Sequence, residues 1–200
     1  MSKNIFYKYE YAKDILETEL HIRLKEFERK SGYLPVEHIK SRIKSESSIN
    51  SKLEKKNLEV TTENIFNNVD DVIGFRIVVS FISDVYDIVK EITNSKILYI
   101  KEKRDYILEP KDSGYSSYHL KVLVPINIEE KEELIPAEIQ IRTVAMDFWA
   151  SLDHKIRYKF KEDIPEDVQK EMYSYANDIR KLDQRMYELN IVMNKYDEKM

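Results

Sequence analysis

From Glu109 to His119 the chain reads Glu-Pro-Lys-Asp-Ser-Gly-Tyr-Ser-Ser-Tyr-His, and from Ala137 to Arg142 it reads Ala-Glu-Ile-Gln-Ile-Arg. The first segment opens with turn formers and runs into a strand expected to carry Tyr115 and His119. The second alternates strictly: Glu138, Gln140 and Arg142 share one face of a strand, and Ile139 and Ile141 the other. A solubilising face would carry interchangeable polar residues, whereas this one offers an acid, an amide and a guanidinium next to a phenol and an imidazole. A second carboxylate, Asp71, stands just before the apolar run Val72–Phe81, and the two strands are expected to be neighbours. Two acids with scattered Arg and Lys suit Mg²⁺ bridging phosphate oxygens, because Mg²⁺ takes few protein carboxylates and completes its shell with phosphates and water. Arg42, Lys44, Arg76 and Arg104 can neutralise a triphosphate. Tyr115 can stack on a base while His119 bonds a phosphate or sugar. Together these residues describe a metal-dependent phosphoryl or pyrophosphoryl transferase. No second His stands at ligand spacing from His119, and Asp153-His154 is one pair on a helix, so neither a zinc site nor a His-Asp hydrolytic centre is expected.

Composition narrows the alternatives. The 200 residues suit one domain with helical extensions, and a hydrophobic fraction of 42% supports a real core. With 33 basic and 37 acidic residues the net charge is -4, which argues against a nucleic-acid coat. There is no cysteine, so disulfides and thiol chemistry are excluded. The three glycines, Gly32, Gly74 and Gly114, are too dispersed for a Walker loop or a dinucleotide fingerprint, so side chains must hold any bound nucleotide. No apolar run approaches the ~20 residues of a membrane span, and Met1–Glu10 lacks the apolar centre of a signal peptide. The cytoplasm is the expected compartment.

The elements that position these residues follow from periodicity. Phe6–Lys30 reads as an amphipathic helix closed by Ser31-Gly32. Val36–Lys44 reads as a strand with His38, Lys40, Arg42 and Lys44 on one face. A helix then starts at Ser45 or Ser47, where its N-terminus favours anions, and a short helical turn covers Thr61–Asn68. Val72–Phe81 is a central strand in which Arg76 needs a partner, either Asp70 or Asp71 or, preferably, a ligand phosphate. A helix capped by Ser83-Asp84 runs to Thr93. Strands are expected at Ile97–Lys101, Tyr115–Pro125 and Leu134–Arg142, with Asn127–Glu133 a charged loop, and a helix at Thr143–Phe160. Val168, Met172, Tyr175, Ile179, Leu182, Met186, Leu189 and Met193 form a heptad stripe on a last long helix, for packing on its own domain or on another subunit.

The blocks Asp-Val-Ile-Gly-Phe-Arg (71–76), Arg-Asp-Tyr (104–106), Lys-Asp-Ser-Gly-Tyr-Ser-Ser-Tyr-His (111–119) and Glu-Ile-Gln-Ile-Arg-Thr (138–143), with Phe148-Trp149-Ala150, resemble the synthetase domain of RelA/SpoT-type proteins. The length resembles that of a stand-alone small alarmone synthetase. The resemblance implies an α+β fold, a mixed sheet of about five strands flanked by helices and related to nucleotidyltransferases, with long helices at both termini. It implies residues 1–34 as a helical extension, 35–160 as the catalytic domain and 161–200 as a C-terminal helix. The implied reaction moves the β,γ-pyrophosphate of ATP to the ribose 3′-OH of GDP or GTP and releases AMP. By position, Arg42, Lys44, Ser48, Lys52, Arg76 and Arg104 would hold ATP. Asp71 and Glu138 would hold Mg²⁺, with Glu138 drawing the 3′-OH proton. Tyr115 would stack on guanine, with Lys111, His119 and Gln140 around the acceptor. Asp147, where many relatives carry Asn, would stand beside the guanine pocket. A homo-oligomer, a tetramer above all, is implied, with no membrane or nucleic-acid partner. Two alternatives remain at this stage, a tRNA 3′-end pyrophosphotransferase of the same fold and an inactive nucleotide-binding module.

Overall fold

The computed structural model describes residues 3–160 and 164–197, so both ends of the expected C-terminal segment 161–200 lie outside the described residues. Eleven elements follow one another among these residues: α1 (Lys3–Ser31), β1 (Val36–Ile43), α2 (Glu46–Glu54), α3 (Thr62–Asn68), β2 (Ile73–Val79), α4 (Ile82–Thr93), β3 (Tyr99–Asp105), β4 (Tyr118–Ile128), β5 (Lys131–Thr143), α5 (Val144–Lys159) and α6 (Glu166–Asp197). The strands form one sheet in the order β1-β2-β5-β4-β3, with β2 and β5 parallel and the other pairs antiparallel. This is the α+β fold with a mixed sheet expected from the sequence.

The two faces of the sheet are chemically opposite, because side chains alternate along every strand. Phe75, Ile77, Leu120, Val122, Ile139 and Ile141 are all buried on one face. Against them pack Tyr9, Ala12, Leu16 and Leu20 of α1 and Val85, Ile88, Val89 and Ile92 of α4. On the other face the register aligns polar residues in two rows across all five strands. One row is Arg42, Gly74, Glu138, Lys121 and Glu102; the next is Lys40, Arg76, Gln140, His119 and Arg104. A one-residue slip would exchange the rows with the core, so core burial itself fixes which charges meet.

Several boundaries differ from expectation for local reasons. Tyr115 is not on a strand. Gly114 takes φ +79°, and its N–H bonds Lys111 O at 2.7 Å, so the chain is still turning there and β4 starts only at Tyr118. The expected loop Asn127–Glu133 shrinks to Glu129-Glu130, both left-handed at φ 49° and 63°, the turn that matches strand twist. β3 begins at Tyr99 because the Ser95 hydroxyl accepts the N–H groups of Ile97 and Leu98, each at 3.2 Å. α4 begins at Ile82, two or three residues earlier than a Ser83-Asp84 cap would have it. Asp84 reaches back to accept the Phe81 N–H at 2.9 Å.

The heptad stripe divides. Met172 and Ala176 are buried on Trp149 and Ile164, with Val168 and Ile179 packed beside them. Leu182, Met186, Leu189 and Met193 are each at least half exposed. Tyr175 of the stripe is also exposed, so packing on its own domain covers one side of α6, as far as Asp183. No helix among the described residues is long and apolar enough to cross a membrane.

Candidate active site

The polar rows line two cavities that share Asp71, Glu138 and Gln140. One, of about 250 Å³, has Arg42 and Arg76 on its walls. The other, of about 360 Å³, has Lys52, Arg104, Tyr106, Lys111, Tyr115 and His119. The carboxylates thus lie between a chamber with the Arg42 and Arg76 guanidiniums on its walls and an aromatic chamber in which Tyr106, Tyr115 and His119 stand among Lys52, Arg104, Lys111 and Lys121.

Asp71 stands two residues ahead of β2, where one oxygen meets Lys44 Nζ at 2.5 Å and the other Lys52 Nζ at 2.8 Å. Burial pushes its carboxyl up, but the two ammoniums outweigh burial and hold it below the ordinary 3.8. Lys52 is delivered by α2, whose N-cap Ser45 accepts the Ser48 N–H at 3.3 Å. Ser48 itself lines a third cavity of about 360 Å³ with Lys44 and Lys52.

Glu138 closes a ring of hydrogen bonds. Arg142 Nη2 donates to Tyr115 Oη at 2.9 Å and also to Gln140 Oε1. Tyr115 Oη lies 2.9 Å from His119 Nε2, and His119 Nδ1 lies 3.1 Å from Glu138 Oε1. Gln140 Nε2 donates to Glu138 Oε2 at 2.8 Å, completing the circuit. Arginine can only donate, so Tyr115 accepts from it and passes its own proton toward His119 Nε2. With Nε2 accepting from the phenol, Nδ1 is the ring nitrogen left to donate to the carboxylate. Burial raises the Glu138 pKa, yet the His119 and Gln140 bonds prevail and leave it below 4.5. The carboxylate is ionised at neutral pH.

Tyr115 is the platform of the aromatic chamber. Its ring meets Tyr106 at 6.3 Å and His119 at 5.8 Å, both edge-on, and the Lys111 ammonium stands 5.0 Å from its centroid. Arg142 lies 5.4 Å from the same centroid, with only 1% of its surface exposed. Burial raises the phenol's pKa, so it stays protonated at neutral pH.

The sequence-based assignments meet this geometry unevenly. Arg42, Arg76, Asp71, Glu138 and Gln140 come together, as do Lys111, Tyr115 and His119. Arg104 sits on the edge strand in the aromatic chamber, paired with Glu102, away from Arg42 and Arg76. Arg76 pairs with neither Asp70 nor Asp71. It meets Asp147 Oδ1 at 3.2 Å, and the same oxygen lies 3.5 Å from Arg142. Asp70 serves Lys101 and Lys121 instead, at 2.7 and 3.0 Å. Arg142 and Tyr106 carry structural parts of the site that the assignments omitted. Alternation already put Arg142 on the Glu138 face, and Tyr106 follows Arg104 by two residues.

Asp71 and Glu138 also test the site for a cation. Among the described residues no group of three or more His, Cys, Asp or Glu converges. Two carboxylates open to a shared cavity fit Mg²⁺, which leaves most of its shell to phosphates and water, and do not fit a four-ligand zinc site.

Comparison with known proteins shows the family of the chain. The family described as "Region found in RelA / SpoT proteins" matches residues 41–163, more than half of the chain. GTP pyrophosphokinase YwaC of Bacillus subtilis is 43% identical over 184 residues, covering 92% of this chain and 88% of the relative. GTP pyrophosphokinase YjbM of the same organism is 34% identical, covering 86% and 82%. The crystal structure of small alarmone synthetase 1 from B. subtilis bound to its product pppGpp superposes with a TM-score of 0.85. It is 32% identical, and the match spans 94% of this chain and 95% of that one.

Proposed function

The chain belongs to the RelA/SpoT family, and on that premise we propose how its residues carry out the family's synthesis reaction. The protein is a GTP pyrophosphokinase: it transfers the β,γ-pyrophosphate of ATP to the ribose 3′-OH of GDP or GTP, giving ppGpp or pppGpp and AMP. The observation that carries this reading is the meeting of two unlike chambers at Asp71 and Glu138. A donor triphosphate suits the guanidinium chamber, and a stacked base with its ribose suits the aromatic one.

In this reading Arg42 and Arg76 bind the donor phosphates, and Lys44, Lys52 and Ser48 extend that contact to the start of α2. Arg76 leaves Asp147 for phosphate oxygens, since a multiply charged partner competes well with one carboxylate. Tyr115 holds the guanine by stacking, with Lys111 at its edge. Glu138 accepts the 3′-OH proton. Its lowered pKa makes it a weak base, so positioning and charge neutralisation supply most of the acceleration. Asp71 and Glu138 would hold Mg²⁺, which when bound neutralises phosphate charge. The exposed stripe Leu182–Met193 supports a homo-oligomer, with a tetramer as the state proposed, and the cytoplasm as the compartment.

The test is to incubate the protein with ATP, Mg²⁺ and GDP or GTP and separate the nucleotides by anion exchange. AMP and a more highly charged guanosine product appear in equal amounts, and Glu138→Gln abolishes both. Unchanged ATP with both acceptors, or full activity of Glu138→Gln, would overturn the reading.

A further inference from the structure

α6 starts at Glu166, beyond the matched family region, yet it reaches the platform of the aromatic chamber from two sides. The first contact is at Gly114. Its backbone lies so close to α6 that a Cβ added there would collide with the Cβ of Ala176, which is buried. Gly114 and its neighbours form one compact turn: Gly114 N–H bonds Lys111 O at 2.7 Å and Lys111 N–H bonds Tyr115 O at 3.1 Å. Whatever moves Gly114 therefore moves Lys111 and Tyr115 with it. The second contact is at the end of β5. Thr143 Oγ1 donates to Asp183 Oδ2 at 2.7 Å, with both residues buried. Thr143 adjoins Arg142, whose guanidinium holds the Tyr115 hydroxyl. The backbone of Tyr115 and its phenol are thus both set by groups that rest on one helix. Between the turn and α6 lies a cavity of about 600 Å³ that opens onto Tyr115 and Lys111 and has Gln169 and Met172 on its far wall.

We infer that α6 is a wall of the acceptor-nucleotide site and that Ala176 is a positioning residue, the seat that sets where the Gly114 turn presents Tyr115 and Lys111 to the base. The inference rests on assigning those two residues to the acceptor. Close packing transmits even a methyl group's displacement, because the interior has no slack to absorb it. Shifting a stacking platform by a fraction of an ångström degrades the contact it was placed to make, and leaves the donor chamber, on the other side of Asp71 and Glu138, unchanged.

Equilibrium binding separates this role from plain stability and does not depend on turnover. Dissociation constants are measured for GDP and, separately, for a non-hydrolysable ATP analogue with Mg²⁺. Ala176→Val weakens GDP by about tenfold, the loss expected for a misplaced aromatic contact, while the ATP analogue stays within about twofold. Gly114→Ala weakens GDP as well, from the collision and from its positive φ. Ala176→Gly added to Gly114→Ala removes the collision alone and recovers part of the GDP affinity, a coupling that two independent destabilising changes would not show. The inference is overturned if Ala176→Val binds GDP as the parent does, if both nucleotides weaken together, or if the double variant is no better than Gly114→Ala. If the parent binds GDP without making product, the proposed reaction fails but the role of Ala176 is still decided by these constants.

Discussion

Replacing Arg142 by Met separates the fold's need for this residue from the site's. The guanidinium is the largest fully buried side chain, and its Nε has no partner. Burial lowers its pKa, a sign that the charge is poorly solvated there. Methionine removes the bonds to Tyr115 and Gln140 and the 3.5 Å contact with Asp147. Hydrogen bonds to a charged group are worth about 1.5–3 kcal/mol each, but burying the ion costs several kcal/mol, and apolar replacements of buried ions are often neutral. Asp147 keeps Arg76 at 3.2 Å, and Tyr115 keeps His119 at 2.9 Å, so neither is orphaned. Unfolding stability should then change by no more than about 2 kcal/mol in either direction. The site fares worse. Tyr115 loses one of its two tethers, and Gln140 is free to turn its amide away from Glu138. Losing the orienting value of one charge-assisted bond predicts a fall of roughly 10–100-fold in kcat/KM for GDP at saturating ATP. Urea denaturation and steady-state kinetics on the same preparation give both quantities. A stability loss above about 4 kcal/mol with unchanged kcat/KM would show that Arg142 serves the fold alone and refute the reasoning.

Three further variants test other contacts described above. Lys52→Met removes one of the two ammoniums on Asp71, so KM for ATP should rise about tenfold by the scale of one charged hydrogen bond. Because Asp71 is held below 3.8 in the folded state, its stabilisation is present above that value and disappears as pH falls through the folded pKa. The Lys52→Met variant has less to lose, so its stability measured by urea denaturation should fall less steeply with acid. Asp183 has the opposite sign: burial raises its carboxyl above 3.8, so the folded state binds the extra proton and stability declines as pH rises through that window. Asp183→Asn keeps an acceptor for Thr143 and removes the decline, so its Tm relative to the parent should improve from acidic to neutral pH. Leu182→Glu with Met186→Glu places charges on the exposed stripe of α6, and sedimentation velocity should show the proposed oligomer giving way to monomers.

Which parts were legible in the sequence follows from the range of the forces involved. Alternation in Glu138–Arg142 and the apolar run after Asp71 are local patterns, so the polarity of each strand face was readable, and with it the meeting of Glu138, Gln140 and Arg76. The Tyr115 turn was less readable, because Gly114 takes its left-handed φ where α6 presses on it, and that contact is made by Ala176 far along the chain. The partner of Arg76 was hidden for a similar reason. Asp70 and Asp71 are nearer in sequence, but Lys52 of α2, Lys101 of β3, Lys121 of β4 and Lys44 just after β1 take them, while the first turn of α5 brings Asp147 over β2. The heptad period of α6 was plain, yet its division into a covered and an uncovered part depends on where Trp149 stops providing a surface.

Glu138 stands on β5, the middle strand of five, with β2 on one side and β4 on the other. Arg76 comes from β2, which also carries ladders on both flanks, whereas Arg42 arrives on the edge strand β1 and Lys52 on a short helix. Backbone openings cost least at edges and most where ladders run on both flanks. In hydrogen exchange, residues 138–141 should be among the last amides to exchange, and the segments carrying Arg42 and Lys52 should exchange earlier. The carboxylate proposed to take the proton is thus held on the most protected strand, while Arg42 and Lys52 reach it from elements with more freedom to adjust to a bound nucleotide.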